Sequence, residues 1–284
     1  MRIALASCRT LPEPDPDQGA LLEAIRDAGA LPFLVPWEDH ADYGQFGACV
    51  IRSTWNYVHH LREFLDWARR VAKVTTLLNP LDVVLWNTDK GYLRYLEARG
   101  IPVVPTEFVP KGGSEGLRDL ASRRGWSDMV VKPRVGAASF ATARFGPGEM
   151  DEGERFLREN AAGRAMMVQP YLRSVEDHGE RAMVWIAGEF THGVAKSPRF
   201  GGSREAVSGA LDLSDEEKAF GEKVLGAVAD RLLYARVDTV RLPDGRLAVM
   251  ELELVEPSLF LVQRPEALRR FARACVASCR GGKP

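Results

Sequence analysis

The 284-residue sequence has few cysteines and histidines, and neither type is arranged to bind a transition metal. Its four cysteines, Cys8, Cys49, Cys275 and Cys279, have no CxxC spacing and no histidine nearby, and its five histidines are scattered. A structural zinc site needs about four thiolate or imidazole ligands close together. We therefore predict reduced cysteines that pack in the interior, and no transition-metal site.

The chain also lacks a long apolar run and an excess of one charge. No stretch approaches the roughly 20 apolar residues of a membrane helix, and the apolar start is too short for a signal peptide. The 38 Lys and Arg residues nearly balance the 39 Asp and Glu residues, without the basic block typical of nucleic-acid binding. This composition predicts a cytoplasmic enzyme that acts on small molecules and has neither a nucleic-acid nor a membrane partner.

Glycine-rich nucleotide-binding signatures are absent as well. The sequence contains no GxxxxGK[ST], and no GxGxxG opens a helix after a strand. Any nucleotide site must therefore be built from other residues.

Hydrophobic patterns predict a small α/β unit followed by α+β units. We place the divisions at 1–86, 87–172 and 173–284. The first unit is predicted to hold strands at 2–6 and 47–51 and helices at 18–28 and 61–71. The later units are predicted to hold helices at 88–99, 153–160, 215–232 and from 265 onward, and strands at 129–132, 140–145, 166–169, 181–196 and 234–254.

The two strands over 234–254 form the most informative pattern, a hairpin around Pro243-Asp244-Gly245. In the register that pairs Leu242 with Leu247, Val240 faces Val249, Asp238 faces Glu251 and Arg236 faces Glu253. A three-residue loop with a bulge would slip this register by one and set Asp238 against Met250. We favour the first register.

Opposed carboxylates on one sheet face repel each other unless a cation lies between them. Oxygen ligands without histidine or thiolate suit Mg²⁺, so Asp238, Glu251 and Glu253 are candidate metal ligands. The alternative is a solvent-facing charged strip offset by Arg236. The apolar segment after Glu256 argues against full exposure.

Two lysines lie where an anion would be stabilising. Lys90 falls in the first turn of the helix predicted over 88–99, where the helix dipole disfavours a cation. Lys132 ends a strand and precedes a turn of small residues, 134–139, that would let backbone N–H groups approach a phosphate.

A polar and aromatic loop follows the strand at 47–51, where open α/β sheets bind ligands. Its residues are a candidate substrate site, and the alternative is that its aromatic side chains only pack under the next helix. The loop consists of Arg52, Ser53, Thr54, Trp55, Asn56 and Tyr57.

In combination, these motifs resemble the ATP-grasp ligases over about residues 80 to 262. The matching residues are Lys90, Val131-Lys132-Pro133, Gly136, Ser139, Gln169-Pro170-Tyr171-Leu172, Glu176, Arg236-x-Asp238, Glu251-x-Glu253 and Pro257-Ser258. Within that superfamily the chain is similar to the glutathione-synthetase-like ligases and especially to the O-ureido-serine cyclo-ligases of cycloserine biosynthesis. The narrower likeness rests on Ser53-Thr54-Trp55-Asn56-Tyr57, Trp86-Asn87-x-x-Lys90 and Met250 to Ser258.

The resemblance implies an ATP-grasp fold, in which an N-terminal substrate-side domain precedes two subdomains that clasp ATP. It implies that phosphates contact the two lysines, that a lid forms near Gly136 and Ser139, that adenine meets the 169–172 segment and Met250, and that Glu176, or else Glu180, binds ribose. Many members have Asn at the position of Glu253, so one or two Mg²⁺ ions are implied. A dimer or tetramer is also implied.

The chemistry implied is attack of a substrate carboxylate on the γ-phosphoryl group of ATP, and capture of the acyl phosphate by a nitrogen nucleophile. Basic residues that flank predicted strands would hold the developing acyl phosphate. They are Lys196, Arg199, Arg204 and Arg236, of which Arg199 and Arg204 are equally consistent with solvated side chains. Two other functions remain open, a small-molecule kinase and a nucleotide-sensing binding module.

Overall fold

The computed structural model describes residues 1–137, 139–177, 179–197, 206–228 and 231–279. Its strands form three four-stranded sheets, which we call the N-terminal, central and C-terminal sheets in chain order. Within these ranges, no helix is both long and apolar enough to cross a lipid bilayer. The α/β start and the α+β remainder agree with the predicted fold class.

The first elements build the N-terminal sheet. They are β1 (Arg2–Ser7), α1 (Gln18–Asp27), β2 (Leu31–Pro36), β3 (Ala48–Ile51), α2 (Leu61–Val74) and β4 (Thr76–Leu78). The strands are parallel in the order β2-β1-β3-β4. Strands β1 and β3 and both helices were predicted. Strand β2 was not, because Pro32 and Pro36 are turn signals; the sheet tolerates them because β2 is an edge strand.

Two short helices follow β4, and only the second lies within the single helix that the sequence predicted over 88–99. They are α3 (Leu81–Asn87) and α4 (Tyr92–Ala98). In the turn between them, the Asp89 carboxylate accepts a hydrogen bond from the Gly91 N–H at 2.8 Å. Lys90 therefore lies before a helix and not in its first turn, and the dipole argument made for it was wrong.

The central sheet is antiparallel. Its elements are β5 (Glu107–Val109), α5 (Leu117–Arg124), β6 (Met129–Pro133), β7 (Ala143–Phe145), α6 (Met150–Gly163) and β8 (Met166–Pro170). The strands lie in the order β5-β8-β6-β7. Strand β6 alternates as expected: Met129 and Val131 are buried in the core, while Val130 and Lys132 face the other side. Strand β7 begins only at Ala143, later than predicted.

The C-terminal sheet is also antiparallel. Its elements are α7 (Ser174–Asp177), β9 (Glu180–Ile186), β10 (Glu189–Lys196), α8 (Asp215–Gly226), β11 (Tyr234–Arg241) and β12 (Leu247–Glu253). The order β10-β9-β11-β12 puts β12 at an edge. Helix α8 ends at Gly226, short of the predicted residue 232. All four strands were predicted.

The hairpin of β11 and β12 contains both registers that the sequence allowed. Near its base Asp238 pairs with Glu251, as predicted. Near its tip Val240 pairs with Ala248, so the predicted pairing of Val240 with Val249 was wrong by one residue. A β-bulge between the two halves absorbs the difference, and Met250 is the extra residue.

The last helix, α9 (Pro265–Ser278), packs against the N-terminal sheet beside α1. Phe271 and Cys275 share a core with Leu21 and Ile25. The buried Tyr234 hydroxyl, on β11, lies 3.0 Å from Ile51 O on β3 and so joins the C-terminal sheet to the N-terminal sheet. The division at residues 86 and 172 stays a prediction.

Candidate active site

A cleft lies between the central and C-terminal sheets, and the loop after β3 forms part of its wall. Folding brings to it residues predicted from motifs far apart in the sequence. Those in its lining are Trp55, Tyr57, Lys90, Lys132, Gly136, Ser139, Gln169, Tyr171, Leu172, Glu180, Lys196, Arg236, Met250, Glu251 and Glu253.

Lys90 is positioned by the residues on either side of it. Asn87 Nδ2 donates to Leu252 O at 2.9 Å, and Tyr92 Oη accepts from Leu252 N at 3.0 Å. These bonds satisfy the free edge of β12 and hold the turn over it. As a result, Lys90 Nζ lies 2.7 Å from Glu251 Oε1.

The ammonium of Lys90 is also hydrogen-bonded to the small-residue turn, since its Nζ donates to Gly136 O at 2.7 Å. Burial alone would lower the pKa of Lys90, but the carboxylates of Glu251 and Glu253 outweigh it and raise the pKa. Lys90 therefore stays a cation in the cleft.

Lys132 differs from Lys90 in its contacts. It forms no hydrogen bond or ion pair with any other residue that the structure describes. Burial is the largest influence and lowers its pKa, and the neighbouring cations Lys90 and Lys196 lower it further. An ammonium that lines a cleft without a counter-ion is a site for an anion.

Asp238 is fully buried beneath the cleft and held by two cations. Arg236 Nε and Nη2 each lie 2.8 Å from its carboxylate oxygens, and Lys196 Nζ lies 2.6 Å from Oδ2. Burial would raise the pKa of Asp238, but these cations hold it well below its usual range. Asp238 is thus a permanent anion that orients Arg236 and Lys196.

Glu251 and Glu253 face the cleft from alternate positions of β12, as strand geometry requires. Burial tends to raise the pKa of both. Lys90 and Lys132 overcome this at Glu251, whose pKa is lowered. At Glu253, which pairs with Arg236, burial prevails and raises the pKa to about 8.

The predicted convergence of Asp238, Glu251 and Glu253 on one point is not found: no three acidic, histidine or cysteine side chains in the described ranges are grouped to hold a metal. Each of the three carboxylates is held by a protein cation instead. The donor chemistry still fits Mg²⁺, because Glu251 and Glu253 direct oxygen ligands into the cleft. The metal assignments stay predictions.

The segment predicted to meet adenine lines the cleft. Gln169 is buried, and its Nε2 donates to Thr106 Oγ1 at 2.9 Å. Tyr171 and Leu172 lie beside Met250 in a small apolar cluster. The bulge explains why Met250 is there, since it turns Met250 to the same side as Glu251.

The two candidates for ribose binding differ in position. Glu176 is not among the described lining residues; it accepts hydrogen bonds from Tyr171 Oη at 2.9 Å and from Arg144 at 3.4 Å. Glu180 does line the cleft and lies 2.7 Å from Lys196 Nζ. Burial raises the pKa of Glu180 to about 7. The geometry favours Glu180.

The loop after β3 brings only two of its six predicted substrate residues to the described cleft lining, Trp55 and Tyr57. Arg52 is buried behind it, where Nη1 donates to Pro257 O at 3.1 Å. Thr54 is fully buried.

The remaining two residues of that loop form hydrogen bonds with other residues near the N-terminal sheet. Ser53 Oγ donates to Asp15 Oδ2 at 2.8 Å, and Asn56 Nδ2 donates to Glu38 Oε1 at 2.6 Å. These contacts hold the loop in place, and neither Ser53 nor Asn56 is in the described cleft lining.

Glu256 lines the cleft and was not predicted as a site residue. Its side chain is buried, and burial raises its pKa to about 7. A sequence signal existed: Glu256 is a lone acid between Val255 and Pro257 in an otherwise apolar segment. Other lining residues that were not predicted as site residues include Glu13, Tyr92 and Thr142, together with Asn87 and Ser258, which the sequence analysis named only as motif residues.

The predicted lid is the connection between β6 and β7. Gly136 and Ser139 line the cleft there, and Ser139 has a positive φ of 57°. Arg199 and Arg204 lie outside the described residues, so their predicted roles are not addressed by the structure.

Comparison with known proteins gives a consistent result. The family model described as the N-terminal domain of D-cycloserine synthetase DcsG matches residues 3–79. The cycloserine biosynthesis protein DcsG of Streptomyces lavendulae is 35% identical over 277 residues, which cover 92% of this chain and 93% of that protein.

Solved structures agree. The crystal structure of D-cycloserine synthetase DcsG has a TM-score of 0.89 and 32% identity, over 98% of this chain and 100% of that one. The ATP-grasp ligase PsnB, complexed with a minimal precursor, Mg and ADP, has a TM-score of 0.65 at 17% identity, with 98% of this chain and 97% of that chain covered; at this identity the likeness shows the fold alone.

The predicted ATP-grasp fold and ligase class are thereby confirmed. This chain belongs to the DcsG family of ATP-grasp ligases.

Proposed function

We propose that this ligase uses ATP to phosphorylate the carboxylate of a small amino-acid-like substrate and then joins the activated carboxyl to a nitrogen. The observation that carries the proposal is Lys132, a cleft-lining ammonium without a counter-ion among the described residues. A γ-phosphate beside Lys132 and Lys90 would supply that counter-ion. The lid residues Gly136 and Ser139 would cover the phosphates.

The cofactor in this proposal is Mg²⁺, which neutralises phosphate charge when bound. Glu251 and Glu253 would hold it, with Asp238 as the third predicted ligand. The number of ions, one or two, depends on how many of these oxygens are released from Lys90, Arg236 and Lys196.

The proposed reaction proceeds in two steps. A substrate carboxylate oxygen attacks the γ-phosphorus, the bond from that phosphorus to the β-γ bridging oxygen breaks, and ADP leaves. A nitrogen then attacks the acyl carbon, inorganic phosphate leaves and the nitrogen loses a proton. Arg236 and Lys196, both fixed by Asp238, would stabilise the phosphoryl oxygens during transfer, and Arg204 is a further predicted contributor.

For the substrate we propose O-ureido-D-serine, with ring closure by a nitrogen of the same molecule. Support comes from the relatives, which are named as D-cycloserine synthetase, and from the cleft, whose substrate side presents Trp55, Tyr57 and Glu256. The nucleophile is then internal. When the oxygen-bonded nitrogen closes the ring, its carbamoyl group remains on that nitrogen, and cleavage by one water molecule would release it as carbon dioxide and ammonia.

The test measures ADP release with O-ureido-D-serine, with and without hydroxylamine. Ligation predicts ADP release, and a hydroxamate when hydroxylamine traps the acyl phosphate. Lys132→Met should lower kcat about 100-fold or more, as expected for loss of a phosphate-stabilising group. Lys111→Met, at an exposed lysine, is the matched control. A stable phosphorylated substrate would indicate a kinase instead, and ATP binding without ADP release would indicate a sensor.

A further inference from the structure

Glu256 is held at the substrate side of the cleft by the loop after β3. Trp55 Nε1 donates to the backbone oxygen of Glu256 at 3.0 Å, and the Tyr57 side chain hydrogen-bonds its carboxylate. Arg52 fixes the next residue by donating to Pro257 O at 3.1 Å. The carboxylate is therefore anchored in position and cannot swing out to solvent without breaking this arrangement.

Glu256 differs from Glu180, Asp238, Glu251 and Glu253 in having no cationic partner among the residues that the structure describes. Glu251 is paired with Lys90, Glu253 with Arg236, and both Glu180 and Asp238 with Lys196. No Lys, Arg or His side chain in the described ranges forms an ion pair with Glu256; Lys90 influences it only at longer range. A buried carboxylate without a cation is costly unless a ligand supplies one.

The surroundings of Glu256 suit an ammonium group. Trp55 and Tyr57 line the cleft beside it, and aromatic rings attract cations. Tyr57 is neutral, because burial raises its pKa well above the usual value. Glu251 lies close enough to Glu256 to add negative potential there. Glu256 is therefore near the part of the cleft in which the phosphates are proposed to bind.

We propose that Glu256 binds the α-ammonium group of the substrate and so orients the substrate carboxylate towards the γ-phosphate. This inference rests on the proposed function and adds to it the group that selects an amino acid over a simple carboxylic acid. Glu256 would then be a specificity-determining residue that contacts substrate. Action of Glu256 as a base that deprotonates the attacking nitrogen would be a different role. The experiment described next separates substrate binding from base catalysis.

The experiment is a double-mutant-type cycle, in which the Glu256 carboxylate and the substrate amine are removed separately and together. ADP release is measured for the wild-type protein and Glu256→Gln with O-ureido-D-serine and with its des-amino analogue. We expect the variant to raise KM for O-ureido-D-serine about 10- to 100-fold, as for a lost charged hydrogen bond, and to leave KM for the analogue within about twofold. Glu256→Asp should recover part of the discrimination.

Three controls make the outcome decisive. Glu159→Gln, at an exposed position of α6, should change neither KM. ATP affinity and the thermal midpoint of Glu256→Gln should stay close to those of the wild-type protein. Equal losses for both substrates would overturn the inference, whether they appear in KM, as for a structural role, or in kcat with a shifted pH profile, as for a base.

A second readout separates this inference from the proposed function. If the wild-type protein releases no ADP with O-ureido-D-serine, the proposed substrate is refuted. Calorimetry then compares binding of D-serine and 3-hydroxypropionate. Preference of the wild-type protein for D-serine, lost in Glu256→Gln, supports the inference, and the absence of any preference contradicts it.

Discussion

Lys90 Nζ lies 2.7 Å from Glu251 Oε1, and both side chains line the cleft. The pair joins the turn between α3 and α4 to the edge of the C-terminal sheet. It also places a cation proposed to bind phosphate beside a proposed metal ligand, so the two groups would exchange partners on binding of a nucleotide and its metal.

Replacing Glu251 with Gln should abolish ADP release while the protein still folds. The change removes a predicted metal ligand and leaves the Lys90 ammonium without its counter-ion. We expect the free energy of unfolding to fall by about 1–3 kcal/mol, the cost of a buried group left poorly satisfied. Urea denaturation and an ADP-release assay measure the two effects. Unchanged turnover would remove Glu251 from the metal site.

Lys132→Met should lose activity but gain stability. A largely buried ammonium that has no counter-ion among the described residues opposes folding, and Met has a similar shape without the charge. Because the pKa of Lys132 is lowered in the folded protein, its charge destabilises the fold most at neutral pH. The gain should therefore shrink as the pH rises through the lowered pKa towards 10.5, the ordinary value. Urea denaturation from pH 7 to 10 measures it, and a less stable variant would contradict the assignment.

Glu253 should make the nucleotide-free protein less stable as the pH rises. Its pKa is raised from 4.5 to about 8, so the folded state retains a proton that the unfolded chain loses. This contribution is fully present below pH 4.5 and is lost by about pH 8. In Glu253→Gln, the fall of the thermal midpoint over that window should be smaller. A slope identical to that of the wild-type protein would show that Glu253 does not titrate there.

Ribose binding should depend on Glu180 and not on Glu176. Glu180→Gln is expected to raise KM for ATP about 10-fold, the loss of a charge-assisted hydrogen bond, whereas Glu176→Gln should leave it within about twofold. With 2′,3′-dideoxy-ATP the two variants should behave alike. The opposite ranking with ATP would restore Glu176 as the ribose ligand.

Much of the local structure was readable from the sequence. The strand predicted at 129–132 is present as β6, and its alternation sets Lys132 opposite to Met129 and Val131. The charges on the hairpin predicted correctly that Asp238 pairs with Glu251. Such patterns are reliable because the side-chain period of a strand is fixed by backbone geometry.

Other features depended on contacts between distant segments. The loop after β3 had six candidate substrate residues, and no pattern within it says which face the cleft. Packing decided this, because Arg52 is drawn inward by Pro257 O, some 200 residues away in the chain, while Trp55 and Tyr57 are left on the cleft side.

The sequence alone therefore determined which residue types and which strand faces could make a nucleotide site, because those depend on short-range periodicity and on charge. The tertiary structure decided the position of the bulge at Met250, the anchoring of Lys90 through Asn87 and Tyr92, and the absence of an ion pair between Glu256 and any cation that the structure describes. The physical reason is that hydrogen bonds at a sheet edge and the pairing of buried charges are satisfied by whichever groups the fold brings near, and short-range sequence does not contain that information.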